Sequence, residues 1–169
     1  QHAAACGMVK TVMIVGGQRK NLPFFWLAEF PGTERGKMYC QINAGGLYGL
    51  QSYVAQVEVD ISKGLPCFDM VGLLDSEVRE ARERLRVSLH HINAALPAEK
   101  ITVNYSPAGI VKSGTSFDLP TALVILAAQG KVPPERLREL WAVGEVGLDA
   151  RIKQVRGVLA MLHAANPVS

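Results

Sequence analysis

Nine consecutive residues, Tyr53-Val54-Ala55-Gln56-Val57-Glu58-Val59-Asp60-Ile61, alternate with a period of two. Tyr53, Ala55, Val57, Val59 and Ile61 fall on one face, and Gln56, Glu58 and Asp60 on the other. A helix would scatter those carboxylates among the valines, whereas a half-buried strand separates them. The chain must therefore build a sheet with one covered face. The cover is also legible. From Asp75 to Ile92 the apolar residues Val78, Ala81, Leu85, Leu89 and Ile92 step by three or four, which makes one buried helical stripe. Asp75 suits the N-cap, and Glu77 and Glu80 suit the positive end of the helix dipole.

The other segments read in order. Tyr39–Asn43 is a short strand, followed by a turn at Gly45-Gly46 and Gly49. Lys63-Gly64-Leu65-Pro66 is a turn, and residues 67–73 form a strand expected to pair antiparallel with 53–61. Ile101–Tyr105 is a strand and 107–115 a loop. Residues 116–129 form an apolar helix, with Pro120 tolerated in its first turn. Pro133-Pro134 opens a short charged helix reaching Leu140. Residues 141–147 and 151–155 form a hairpin around Asp149-Ala150, and Gly157 to Ala165 is a last helix. Strands and helices in this irregular order give an α+β fold with a mixed sheet packed with helices, not a βαβ array.

Charge divides the chain. Residues 1–37 carry five basic and two acidic side chains, whereas 38–169 carry 13 of each. The basic excess therefore belongs to an N-terminal extension (1–37), either packed on the domain (38–169) or lying upstream of a start at Met38. It gives no warrant for nucleic-acid binding by bulk charge. That extension holds an apolar run from Met8 to Val15 and an aromatic cluster at Phe24, Phe25, Trp26 and Phe30. The run lacks the basic start and unbroken core of a signal peptide. No stretch of about 18 apolar residues occurs, so no membrane partner is expected. Cys6, Cys40 and Cys67 are odd in number and widely spaced, which points to a reducing, cytoplasmic setting without structural zinc. His90 and His91 stand about 100° apart on a helix and make a poor chelate pair. No metal site is expected.

Four motifs bear on chemistry. Gly109–Ser116 has the glycine spacing of a phosphate loop, but Thr115 stands where that loop needs lysine. Ser116 at a helix start can serve as a nucleophile if a base is near; the plain alternative is that Ser113, Thr115 or Ser116 caps the helix. Arg79, Arg82 and Arg86 share one helix face with His90. They form either a face laced with i,i+4 pairs (Arg79–Glu83, Glu80–Arg84) or a contact for phosphates or a partner. Glu145 sits in an otherwise apolar strand and needs a partner.

Six motifs together carry a family resemblance. They are Gly64-Leu65-Pro66 with Phe68, Val71-Gly72-Leu73, Val78 to Arg86, Ile101–Asn104 with Pro107-Ala108, Gly114 with Ser116–Pro120, and Gly144-Glu145. From about Tyr39 onward the chain resembles the N-terminal domain of the magnesium-chelatase-like, ComM-type AAA+ ATPases of bacteria. The resemblance implies a Lon-peptidase-like domain of the ribosomal protein small-subunit domain-2-like superfamily. It implies a parent in which an AAA+ module, absent here, binds ATP and magnesium and assembles as a homo-hexamer acting on DNA. It assigns no cofactor to this chain, and a non-catalytic role in ring assembly, regulation or DNA-substrate contact.

In Lon-type peptidases a Ser–Lys dyad does the chemistry. Ser116 aligns with the nucleophile, but Leu159 stands at the lysine position and cannot accept a proton. The alternatives are a Ser-dependent peptidase using Lys153 or Lys112 as a displaced base, and a stand-alone nucleic-acid-binding module using Arg79, Arg82 and Arg86. Leu74, Gly109 and Tyr105-Ser106 depart from the usual family residues.

Overall fold

The computed structural model describes residues 11–14, 39–138 and 140–165. The aromatic cluster at 24–30 lies outside them. Strand β1 (Thr11–Ile14) is followed by β2 (Tyr39–Tyr48), β3 (Gln51–Ser62) and β4 (Cys67–Val71). Helix α1 (Ser76–His91), strand β5 (Lys100–Ser106) and helices α2 (Asp118–Ala128) and α3 (Pro134–Leu137) come next. Strands β6 (Leu140–Val143), β7 (Glu145–Val146) and β8 (Ile152–Lys153) and helix α4 (Val158–Ala165) complete the order. Six strands form a mixed sheet in the order β1-β6-β2-β3-β5-β4, and β7 and β8 form a separate hairpin. Residues 11–14 of the extension thus lie in the same sheet as the domain, parallel to β6.

The alternation in β3 does what it predicts. Ala55, Val57, Val59 and Ile61 are buried, while Asp60 is exposed. The matching alternation in β5 buries Ile101, Val103 and Tyr105 on the same face. Over that face lies α2, every residue of which is buried, which explains its unbroken apolar sequence. Pro120 is the third helical residue, where its missing N–H costs no intrahelical bond. Helix α1 packs beside α2 through Val78, Ala81, Leu85 and Leu89, with Ile92 half-buried at its C-cap. Each large aliphatic side chain so buried is worth about 1.5–3 kcal/mol. The Asp75 side chain accepts from the Val78 N–H at 3.0 Å, the expected cap. Helix α4 packs on part of the other face, where Trp141, Val143, Val155 and Met161 form a second small core.

Four expectations are corrected. Strand β4 does not pair with β3; it pairs in parallel with β5, from Cys67↔Lys100 to Val71↔Asn104. The alternating β5 occupies the place beside β3, antiparallel to it, and β4 is left at the edge. Gly45 and Gly46 do not turn the chain: β2 runs through them to Tyr48, and the turn is at Gly49, with φ +61°. A Cβ at Gly45 or Gly46 would run into the ring of Trp141 or of Tyr53, so these glycines serve close packing. The strand expected over 141–147 breaks at Gly144, whose carbonyl and N–H instead bond Leu119 and Ser116. Helix α3 ends at Leu137, and Leu140 already begins β6.

Candidate functional site

The loop from Pro107 to Thr115 joins β5 to the buried helix, and its path is fixed by main-chain bonds. The Lys112 N–H donates to the Leu73 carbonyl at 2.8 Å, and the Asp75 N–H donates to the Lys112 carbonyl at 3.0 Å. The Lys112 side chain turns inward, fully buried, and its ammonium donates to the carbonyls of Pro107 and, at 2.8 Å, Ile110. Burial pushes this ammonium below the usual lysine range. Gly114 at φ +80° then lets the chain enter a 3₁₀ turn, Thr115–Phe117, that leads directly into α2.

None of the three hydroxyls caps that helix end. The residue at the N-cap of α2 is Phe117, and the 3₁₀ turn carries no side-chain cap either. Each hydroxyl reaches across to another element instead. Ser113 Oγ donates to the Leu47 carbonyl at 3.4 Å, and Ser116 Oγ donates to the Gly45 carbonyl at 3.2 Å. Thr115 Oγ1 donates to Glu145 Oε2 at 2.9 Å. The capping reading fails because the N–H groups at the helix start have main-chain acceptors, Asp118 with the Thr115 carbonyl and Leu119 with the Gly144 carbonyl, which leaves the hydroxyls to tie β2 and β7 to the turn.

These residues line a cleft of about 500 Å³, with Leu47, Glu77, Arg156 and Met161 around it. Glu145 has the partners its apolar context demanded, Thr115 and, at 3.5 Å, Lys153 Nζ. Behind the cleft stands a buried pair that sequence reasoning missed. Asp118, with its side chain 1% exposed, takes two bonds from Arg84, from Nε at 2.9 Å and Nη2 at 3.1 Å. The Val146 N–H donates to the same carboxylate at 3.3 Å, and Arg84 Nη2 also donates to the Glu77 carbonyl at 3.1 Å. Burial pushes the Asp118 carboxyl upward, with Arg84 and the Val146 N–H drawing it back. The guanidinium of Arg84 is held above its ordinary value chiefly by its bond to Asp118. The signal available was an isolated Asp in an apolar helix start with Arg84 out of line with the other three arginines.

The bases considered for Ser116 are committed elsewhere. Lys112 serves loop carbonyls, Lys153 serves Glu145, and Leu159 is 82% exposed. Ser116 itself is 4% exposed and faces a carbonyl, which cannot take its proton. The Gly109–Ser116 loop does not fit a nucleotide phosphate. The Lys112 N–H is spent on Leu73, its ammonium points into the protein, and the Leu119 N–H at the helix start is spent on Gly144. Among the described residues no group of three or more His, Cys, Asp or Glu could hold a metal, and no helix is long and apolar enough to cross a membrane.

The arginine stripe divides. Arg86 pairs with Glu83 at 3.0 Å, so Glu83 is not the partner of Arg79 as its spacing suggested. Glu80 does lie 3.9 Å from Arg84. Arg79 and Arg82 instead line a second cleft of about 440 Å³ with Lys100, Thr102 and the consecutive edge residues Asp69, Met70 and Val71.

The fold is thus a mixed sheet bearing a buried helix whose entry turn is tied by hydroxyls, a glutamate and a buried Arg–Asp pair. Residues 57–168 match the family model described as subunit ChlI of Mg-chelatase. The chain belongs to the ComM-type, magnesium-chelatase-like family. It is 38% identical over 118 residues to the competence protein ComM of Haemophilus influenzae, a match covering 70% of this chain and 23% of that protein. It is 40% identical over 112 residues to the uncharacterized protein YifB of Escherichia coli (66% and 22%). It is 38% identical over 118 residues to an uncharacterized protein of Mycobacterium tuberculosis (70% and 24%). The matched region spans just under a quarter of the length of these relatives.

Proposed function

We propose that this chain is a non-catalytic, Lon-like N-terminal domain of a ComM-type AAA+ ATPase, serving assembly and regulation of a cytoplasmic homo-hexameric ring. ATP and magnesium belong to the AAA+ module of that larger protein, and DNA is engaged by the assembled ring. The observation that carries the non-catalytic reading is the state of Ser116. Its hydroxyl is buried and donates to the Gly45 carbonyl, so the group at the nucleophile position has an acceptor that cannot act as a base. A dyad works as a unit, and a serine without its lysine loses most of the rate. The pairing of Arg86 with Glu83 likewise weighs against a stand-alone nucleic-acid face along α1.

Incubation with a fluorophosphonate serine probe tests the reading. No labelling of Ser116 is expected. Labelling of the wild type that disappears in Ser116→Ala would establish a reactive serine and overturn it. The ring role is read separately: in a full-length relative, removing the matching domain is expected to change ATPase rate or oligomer mass, and an unchanged pair of values counts against it.

A further inference from the structure

We infer that the edge strand β4, flanked by Arg79, Arg82 and Lys100, is a docking site for an extended acidic peptide segment of a partner protein, which adds to the sheet as a further strand. Among the described residues β4 pairs only with β5, so the main-chain N–H and C=O groups of its outer side are open. Such an edge is a template for another strand unless it is blunted. Asp69, Met70 and Val71, three consecutive residues of that edge, line the cleft between β4 and α1. Phe68 and Met70 pack on the core, whereas Asp69 and Val71 face outward.

The charge around the edge selects the occupant. Arg79 and Arg82 stand one turn apart on α1, Lys100 opens β5, and none of the three makes an ion pair in the described structure. The neighbouring Arg84 and Arg86 are both paired. Three free cations against one carboxylate, Asp69, favour an anionic ligand that leaves a neutral position opposite Asp69. A peptide meets both demands. Its backbone offers donors and acceptors to an edge that offers both, and its side chains can place Glu or Asp beside the cations. The sugar–phosphate backbone of a DNA strand offers acceptors only and puts phosphates in unbroken succession past Asp69, and its bases find no aromatic side chain in the cleft for stacking. A second copy pairing edge to edge would bring two sets of these cations together. Residues 15–38 of the chain carry four basic and two acidic side chains, the wrong sign to fill the cleft. The inference stands independently of the reading of Ser116.

The test uses the 169-residue chain and three fluorescein-labelled probes: an octapeptide alternating Glu and Thr, the same peptide with Lys for Glu, and oligothymidylate. Fluorescence anisotropy is expected to show binding of the Glu–Thr peptide and not of the Lys–Thr peptide. Affinity should weaken by about tenfold or more in the double variant Arg79→Glu/Arg82→Glu, whose changes are on the surface and leave the core intact. Hydrogen exchange at the amides of residues 67–71 should slow when the peptide is added. Oligothymidylate binding more tightly than the peptide, with loss in the same variant, would assign the cleft to phosphate and overturn the proposal. Failure of the Glu–Thr peptide to bind at millimolar concentration, or binding without slower exchange in β4, would overturn it as well.

Discussion

Removing the guanidinium of Arg84 leaves Asp118 as a carboxylate with no cation beside it at 1% side-chain exposure. An ion that has lost its partner in such a place costs far more than the pair was worth. Arg84→Met should therefore lower stability by about 3 kcal/mol, seen as a lower urea midpoint at unchanged slope. The double variant Arg84→Met/Asp118→Ala should recover part of that loss, because the stranded charge is gone. Full additivity of the two single losses would mean the contact is not energetically coupled. Tyrosine ionisation gives a second reading at this scale. Burial pushes the Tyr53 hydroxyl from 10.0 up to about 12, and burial pushes Tyr105 upward as well, with its hydroxyl 2.8 Å from Thr121 Oγ1. A group whose folded value is raised binds its proton more tightly when folded, so its stabilisation is whole below pH 10 and is lost as pH rises toward 12. Lys112, whose ammonium is held low, acts in the opposite sense up to its ordinary 10.5. The contribution is isolated by Tyr53→Phe, which should flatten the fall in thermal midpoint between pH 10 and 12; an equally steep fall would remove Tyr53 from the account.

At the scale of the element, the glycines of β2 carry the sharpest expectation. Gly45 lies under the Trp141 ring and beside Met161, on the face where α4 packs. Gly45→Ala should cost about 1–3 kcal/mol through forced overpacking of the second core, measurable in urea. A neutral result would show that α4 is free to shift. The same strand shows where sequence reading stops. Periodicity was sufficient for β3, β5 and the α1 stripe, because each has one face in the core and one outside. Two glycines in succession look like a turn, since the packing space that Gly45 leaves is filled by a tryptophan almost 100 residues away and that of Gly46 by the Tyr53 ring across the strand pair. Pairing was illegible for β4 for the same reason: its partner, β5, lies beyond α1. Within the candidate site Ser116, Glu145 and the arginine stripe could be found from spacing and context. The Arg84–Asp118 pair, 34 residues apart, and the division of the stripe between Glu83 and the second cleft are facts of tertiary geometry.

At the scale of the whole molecule, the described domain has a main core under the fully buried α2 on one sheet face and a small second core under α4 on part of the other. Variants of the Thr115–Glu145–Lys153 chain should therefore leave folding nearly intact, since Lys153 is more than half exposed and exposed pairs contribute little. Lys153→Ala is expected to change stability by less than about 1 kcal/mol. A larger loss would place Lys153 in a role beyond its contact with Glu145.

The order β3-β5-β4 in the sheet has a consequence for how the chain comes into being. As the polypeptide leaves the ribosome, β2 and β3 can fold on each other at once, joined by a two-residue turn. Strand β4 emerges next and has no neighbour, because the slot between it and β3 belongs to a segment not yet made. Until residues 100–106 arrive, the valine-rich margin of β3 and the whole of β4 are bare. On insertion, β5 pairs with both at once, leaving only the outer side of β4 open, and becomes the keystone between them.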